Sequence, residues 1–231
     1  MSLKEELKSY VAAVHKGQWK TRDGTKVPET DDIALGNEAV KLEATVLYAD
    51  LAQSTVMVKN HENWFAAEIY KNYLYCAARI VRHHDGVITA YDGDRIMAVF
   101  IGGSKNSNAA KCGLRINYAV RDILRPATKA QYPNNSFDLR QRVGIDTSPL
   151  FIARTGIRGS NDLVWVGNAA NNAAKMAALP TTYPTYISAS VYNMLGESSK
   201  YGGEPKRDMW TDLGTRDLGY RIYGSTWWWT L

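Results

Sequence analysis

Cysteine is scarce in this 231-residue sequence, which contains only Cys76 and Cys112. Neither belongs to a CxxC pair and each lies in an apolar pattern of helical period, so a disulfide framework or zinc site has little support. Long apolar runs are also missing. The longest stop far short of the roughly 20 residues of a membrane span, and Met1–Glu6 lacks a signal peptide's apolar stretch. We therefore expect reduced core cysteines and a cytoplasmic protein without a membrane span.

Runs of like charge are absent as well. The net charge is +5, but the lysines and arginines that produce it are scattered along the chain. A scattered excess does not form the basic patch that nucleic acids favour, and a polyphosphate small molecule explains it as well. We expect no nucleic-acid partner. With 45% hydrophobic residues, the chain has enough apolar mass for one sizeable core.

The apolar periodicity predicts an α+β fold. Ser2 and Glu5 have the spacing of a capping box at the start of an amphipathic helix over 2–16, which we expect to dock on the body or on a partner. A polar connector follows, so the predicted domains are 1–40, with the helix and connector, and 41–231. From residue 41 the order is β-α-β-β-α-β, as in a ferredoxin-like sheet with helices on one face. The principal predicted strands are 42–49, 87–91, 96–100, and a pair formed by 141–145 and 150–155; the principal predicted helices are 60–84, 108–124 and 168–179.

Two aspartates stand where strands end. Asp50 closes a buried strand, and Asp94 belongs to a tight hairpin signalled by Asp92-Gly93 between two apolar runs. Both carboxylates can reach one edge of a sheet, where they suit a pair of hard cations such as Mg²⁺ or Mn²⁺. The spacing alone is weak evidence, because an N-cap at Asp50 and a turn residue at Asp94 explain it too.

Polar residues gather at two further places. Gln53, Ser54 and Thr55 follow Asp50 at a strand-to-helix turn, where free backbone N–H groups bind phosphate, although an ordinary helix start looks the same. Later in the chain, amides and a lysine recur at helical spacing among alanines, a stripe that a ribose and a triphosphate would satisfy. The members of this stripe are Asn168, Asn171, Asn172 and Lys175.

Four motifs in order give the sequence a family resemblance. They are Leu47-Tyr48-Ala49-Asp50-Leu51, Tyr91-Asp92-Gly93-Asp94, Arg142-Val143-Gly144-Ile145-Asp146, and the stretch from Val166 to Lys175. Together they resemble the class III nucleotide cyclases over about residues 41–224. The resemblance implies a ferredoxin-like cyclase catalytic domain, preceded here by an N-terminal helix.

The resemblance also implies roles for individual residues. Asp50 and Asp94 match the two metal-binding aspartates, and the Leu51 carbonyl matches a main-chain ligand to the metals, two divalent cations, Mn²⁺ or Mg²⁺. Asn171 matches the asparagine that orients the ribose, Lys175 takes the place of an arginine that stabilises charge on the α-phosphate, and Arg142 matches a basic residue on the triphosphate. Family sites form between subunits, so a homodimer with two shared sites is implied. Lys175 as a solvent-facing lysine stays an open alternative.

The base-selecting positions depart from the purine-specific pattern. Ala90 and Val164 stand where those members have a lysine and an acidic residue, so a purine edge would lose its partners. Tyr48 stands where phenylalanine is common; it can stack on a base and offer one hydrogen bond, or be a core tyrosine. These departures resemble the bacterial pyrimidine cyclases that signal phage infection. Within that group the family resemblance, and no residue of this sequence, favours UTP, which would be converted to 3′,5′-cyclic UMP and pyrophosphate, with a downstream effector reading the product.

Several alternatives stay open. A cytidylate cyclase, an adenylate or guanylate cyclase, and a catalytically inactive nucleotide-binding regulatory domain all fit parts of the pattern. Retention of Asp50 and Asp94 argues against the inactive form. The consecutive Trp227, Trp228 and Trp229 fit either a partner surface or packing on the chain's own body.

Overall fold

The computed structural model describes all residues from Met1 to Leu231 and divides them into two compact units. The smaller unit contains residues 1–43 and 149–167, and the larger contains 44–148 and 168–231. No helix combines the length and the apolar character that crossing a lipid bilayer would require. The predicted division after residue 40 stays a prediction.

The smaller unit begins with helix α1 (Leu3–Lys16), whose Ser2–Glu5 capping box is present as predicted. Strand β1 (Lys20–Asp23), which lies in the predicted connector, pairs in parallel with the start of β2 (Glu38–Leu51). The second half of β5 (Gln141–Ile157) pairs antiparallel with β6 (Ser160–Val166). Helix α1 buries none of its residues, so the structure does not show the docking expected for it.

The larger unit shares β2 and β5 with the smaller one and adds seven strands and seven helices. Its strands are β3 (Val87–Asp92), β4 (Arg95–Phe100), β7 (Thr185–Ser188), β8 (Tyr201–Gly202), β9 (Arg207–Asp208), β10 (Thr211–Asp212) and β11 (Ile222–Ser225). Its helices are α2 (Ser54–Asn60), α3 (Asn63–His83), α4 (Lys105–Tyr118), α5 (Arg125–Gln131), α6 (Asn168–Ala177), α7 (Ala189–Asn193) and α8 (Glu197–Lys200).

The sheet has the strand order β10-β11-β7-β5-β2-β4-β3. The four strands β5-β2-β4-β3, with helices between β2 and β3 and between β4 and β5, confirm the predicted β-α-β-β-α-β arrangement. Helices α3 and α4 pack on each other and share one apolar core with the inward residues of the sheet. On the opposite face, α6 packs against β5 at Gly144, and a smaller apolar cluster contains Met176, Tyr186 and Ile222.

Strand β5 differs from the prediction, which placed a turn between 145 and 150. It is one continuous strand. The polar side chains at that point form hydrogen bonds with neighbouring elements, α6 and β2, and no turn is formed. The Asp146 carboxylate accepts a hydrogen bond from the Asn172 amide at 2.8 Å, and the Thr147 hydroxyl donates to the Ala44 carbonyl at 3.0 Å. Non-local partners of this kind leave no trace in local sequence pattern.

Two predicted helices also have different limits. The predicted helix over 60–84 is two helices, α2 and α3, separated near His61, where the backbone is extended (φ −131°, ψ 162°). The predicted helix over 108–124 begins earlier, passes through a π-helical turn at Ala119–Leu124 and continues into α5.

The C-terminal tail packs on its own unit. Each of the three tryptophans lies beside a cationic side chain of that unit, and the Asn117 amide on α4 donates to the Trp227 carbonyl at 2.9 Å. The pairs are Trp227 with Arg207, Trp228 with Arg121 and Trp229 with Lys111. Of the two alternatives, the structure therefore shows packing on the chain's own body.

Candidate active site

The two aspartates lie at one end of neighbouring strands. Asp50 is the penultimate residue of β2 and pairs in register with Arg95, the first residue of β4. Asp94 precedes Arg95 in the β3–β4 turn, where Gly93 has a φ of +60° that glycine adopts without strain. Cross-strand pairing therefore places Asp94 beside Asp50.

Arg142 joins this end of the sheet from β5. Its guanidinium donates to the Asp50 carboxylate at 2.7 Å, with about one fifth of each side chain exposed (20% and 19%). The same guanidinium reaches the carbonyls of Ala178 and Leu179 just after α6, at 3.3 and 3.4 Å. Arg142 thus connects the acid pair to the end of α6.

The negative charge of the acid pair is only partly offset by the neighbouring arginines. Burial raises the pKa of Asp50, the neighbouring Asp94 raises it further, and Arg142 and Arg95 only partly oppose this. Asp94 Oδ2 is buried and has no hydrogen-bond partner among the protein atoms. Hard divalent cations prefer carboxylate and carbonyl oxygens, so Asp50, Asp94 and the backbone carbonyl of Leu51 fit such ions.

The segment after Asp50 forms a tight entry into α2. Leu51 is buried at the end of β2, and Gln53 has a left-handed backbone (φ 62°) immediately before the helix. The Ser54 side chain hydrogen-bonds with the Tyr70 hydroxyl, while Gln53 and Thr55 are exposed. The three residues predicted to contact phosphate therefore lie directly beside the acid pair in the chain.

The predicted base-contacting residues fall in both units. Tyr48 and Ala90 each pair with Met97 of β4 from opposite sides, and the Arg95 guanidinium lies 5.7 Å from the centre of the Tyr48 ring. Burial raises the pKa of the half-buried Tyr48, so its hydroxyl keeps its proton at neutral pH. Val164 belongs to the smaller unit, where it is 40% exposed on β6.

Helix α6 presents Asn171 and Lys175 to solvent. No hydrogen bond or ion pair within the chain joins either residue to the acid pair or to Arg142. Asn172, a member of the same predicted stripe, instead bonds Asp146 within the unit. Within this stripe, Asn172 therefore has a partner in the chain, whereas Asn171 and Lys175 are exposed and available to a ligand or another molecule.

Arg95 is a residue at this site that sequence reasoning missed. It bonds Asp92, acts electrostatically on Asp50 and lies over Tyr48. The available signal is the composition of β4, because an arginine directly after Asp94 begins a strand whose other five residues are all apolar.

A surface cleft of about 680 Å³ lies elsewhere in the larger unit, between Lys59–Phe65 and Gln131–Asn135. It contains none of the residues singled out from the sequence. The acid pair itself lies outside this cleft, where β2 ends and β4 begins.

Comparison with known proteins agrees with this geometry. Residues 38–211 match the family model of the adenylate and guanylate cyclase catalytic domain. The chain is 49% identical to a uridylate cyclase of Xanthomonas perforans and 50% identical to one of Burkholderia cepacia, each over 100% of both chains. The crystal structure of an adenylyl cyclase from P. aeruginosa superimposes with a TM-score of 0.69 at 20% identity, covering 82% of this chain and 96% of that one.

The chain therefore belongs to the family of adenylate and guanylate cyclase catalytic domains, the class III cyclases. It is a nucleotide cyclase, a lyase that breaks a phosphorus–oxygen bond, and the predicted class III fold is confirmed.

Proposed function

We propose that this protein is a homodimeric pyrimidine nucleotide cyclase that converts UTP to 3′,5′-cyclic UMP and pyrophosphate. The observation that carries the proposal is the half-buried Asp50–Asp94 pair at the end of β2 and β4, whose mutual repulsion Arg142 and Arg95 only partly offset and whose Asp94 Oδ2 has no partner. The class III family uses divalent metal ions. Two of them, Mn²⁺ or Mg²⁺, held by the two carboxylates and the Leu51 carbonyl, would activate the ribose 3′ hydroxyl and neutralise the phosphates.

The remaining roles follow from where the side chains lie. Arg142 holds Asp50 in place at 2.7 Å and offers its other donors to the triphosphate. Gln53, Ser54 and Thr55 line the phosphate side of the acid pair. From the second subunit, Asn171 orients the ribose and Lys175 offsets charge on the α-phosphate, which agrees with their exposure on α6.

The choice of a pyrimidine rests on Tyr48, Ala90 and Val164. Ala90 and Val164 have no polar atoms with which to satisfy a purine edge, and leaving a buried base atom unpaired costs roughly 1–3 kcal/mol. The Tyr48 hydroxyl can donate to uracil or accept from cytosine, so it does not separate UTP from CTP. We propose UTP because the full-length relatives are uridylate cyclases.

The resemblance to antiphage cyclases supports a cellular role. In this proposal the cyclic UMP is a second messenger of defence against phage, and a separate effector protein reads it.

Product analysis tests the proposed reaction. We expect the purified protein with Mn²⁺ to cyclise UTP in preference to CTP, ATP and GTP, with the product identified by mass spectrometry. Asp50→Ala and Asp94→Ala should fold normally and form no cyclic product. Exclusive turnover of ATP would remove the pyrimidine assignment, and no cyclic product from any of the four would favour the regulatory alternative.

Mixing two inactive variants tests the shared site. Asp94→Ala and Asn171→Ala should each be inactive alone, because each homodimer lacks a necessary group in both sites. In a mixed dimer one site regains a complete set, so roughly a quarter of the sites in an equal mixture should be active. Failure to recover activity after verified subunit exchange would contradict a site shared between subunits.

A further inference from the structure

A smaller cavity lies in the larger unit, where β5 begins. It encloses about 250 Å³, and three of the residues that line it are arginines. Arg121 comes from the π-helical turn, Arg125 from the start of α5, and Arg140 immediately precedes β5. The other lining residues are neutral, so no carboxylate faces the cavity. Neither the acid pair nor Arg142 lines it, which makes it a basic cavity separate from the candidate active site.

The three arginines use only part of their hydrogen-bonding capacity within the chain. Arg125 and Arg140 share the Asp138 carboxylate, at 3.5 and 2.6 Å. Arg121 bonds Asp122 at 2.9 Å. All the bonds of these guanidinium groups use Nε and Nη2, which leaves the Nη1 donors of all three without a partner in the chain. Three cations therefore face two carboxylates, and one positive charge stays uncompensated.

Trp228 restrains one wall of the cavity. The guanidinium carbon of Arg121 lies over the Trp228 ring, 3.3 Å from its centre, in a cation–π contact. The tail that carries Trp228 is anchored in turn, because the Asn117 amide donates to the carbonyls of Thr226 and Trp227 at 3.4 and 2.9 Å. A guanidinium that is already held in place loses less side-chain entropy when a ligand binds, so this part of the cavity is preorganised.

The lining and the volume together indicate a small phosphate-bearing anion. A guanidinium presents its N–H groups in a planar fork that matches phosphate oxygens, and the hydroxyls of Thr181 and Thr226 supply further donors. At about 250 Å³, the cavity is smaller than the roughly 300–1,000 Å³ of sites that enclose drug-sized ligands. It therefore suits inorganic phosphate or pyrophosphate better than a whole nucleotide. Pyrophosphate is the better match, since it offers two phosphoryl groups to three guanidinium groups.

We propose that this cavity is a binding site for pyrophosphate and, more weakly, for inorganic phosphate, distinct from the site at the acid pair. The inference goes beyond the proposed function and does not depend on which nucleotide is cyclised. Its physical basis is the free Nη1 donors around one cavity, which an anion with several oxygens can engage together.

Calorimetric titration of the metal-free protein with pyrophosphate, and separately with inorganic phosphate, tests the proposal. Arg121→Gln and Arg140→Gln should each raise the Kd for pyrophosphate about tenfold or more, because each removes a charge-assisted hydrogen bond to the anion. Arg79→Gln is the matched control. It removes the same charge from an exposed position on α3 outside the cavity, so the Kd should not change. An equal loss of affinity in Arg79→Gln would show a general effect of net charge and would overturn the proposal.

Arg142→Ala distinguishes this cavity from the candidate active site, where a polyphosphate could also bind. Arg121→Gln should remove a binding event that Arg142→Ala retains. The reverse result, or no saturable binding up to about 1 mM pyrophosphate, would overturn the proposal. Circular dichroism checks that each variant is folded; if Arg140→Gln is not, Arg121→Gln, with a side chain 36% exposed, carries the test alone. Calorimetry needs no turnover, so a failure of UTP cyclisation would be distinguishable from a failure of this inference.

Discussion

Replacing Gly144 by alanine should separate the strand that carries Arg142 from the helix that carries Asn171 and Lys175. A Cβ at Gly144 would lie 2.1 Å from the Ala173 carbonyl oxygen and 2.6 Å from the Ala177 nitrogen. Both are backbone atoms of α6, so no side-chain rotation relieves the clash, and β5 and α6 must move apart by about 1 Å. Overpacking of this kind typically costs about 1–3 kcal/mol. Because backbone opposes backbone, we expect about 3 kcal/mol, and hence a Tm lower by about 6–12 °C.

The cyclase rate of Gly144→Ala should fall even under conditions in which the variant remains folded. At a temperature where the variant is still folded, a displacement of about 1 Å at catalytic groups can cost on the order of a hundredfold in rate. Gly103→Ala is the matched control, since a Cβ there meets nothing within 4 Å. Thermal melts and initial rates for both variants test the reasoning. A fall in Tm of less than about 2 °C for Gly144→Ala would show that β5 and α6 are not in close contact.

Three further changes have defined outcomes. Arg142→Ala removes the cation that lowers the pKa of Asp50, so the Mn²⁺ affinity measured by calorimetry should fall, most strongly at acid pH. Burial and Arg115 lower the pKa of His84 from 6.5 to about 4, so this neutral histidine favours folding above pH 6.5. Its contribution, about 3 kcal/mol, should be lost between pH 6.5 and 4 in denaturant titrations, and His84→Gln should not show that loss. Truncation after Ser225 leaves the Asn117 amide without its acceptors and should lower the Tm, with light scattering unchanged, because the tryptophans pack on their own unit.

Local sequence signals identified those parts of the fold that depend on local interactions. The Ser2–Glu5 capping box and the Asp92-Gly93 turn need only residues within a few positions, and both are present. Strand β1 was not predicted, because all four residues of Lys20–Asp23 are exposed and therefore show no apolar alternation. Its partner β2 is distant in sequence, so nothing local marks it as a strand.

The same distinction applies to the candidate site. The position of Asp50 at a strand end followed from the apolar run before it. Its ion pair with Arg142 was not predictable. That contact depends on the register between β2 and β5, which the sequence of either strand alone does not determine.

The aspartates Asp50 and Asp94 differ in burial from Asn171 and Lys175 on α6, and this difference supports the proposal of a site shared by two copies. Asp50 and Asp94 are partly buried and mutually repulsive, so they are costly to a chain that has no cations to bind. Asn171 and Lys175 are exposed, and in water an amide and an ammonium cost a folded chain nothing. The adjacent Asn172, by contrast, is bonded to Asp146 within the unit, so Asn171 and Lys175 are polar groups of α6 that remain available to a second subunit in the proposed dimer. Their outward placement is useful when a second subunit brings a triphosphate, held at its own acid pair, against this helix.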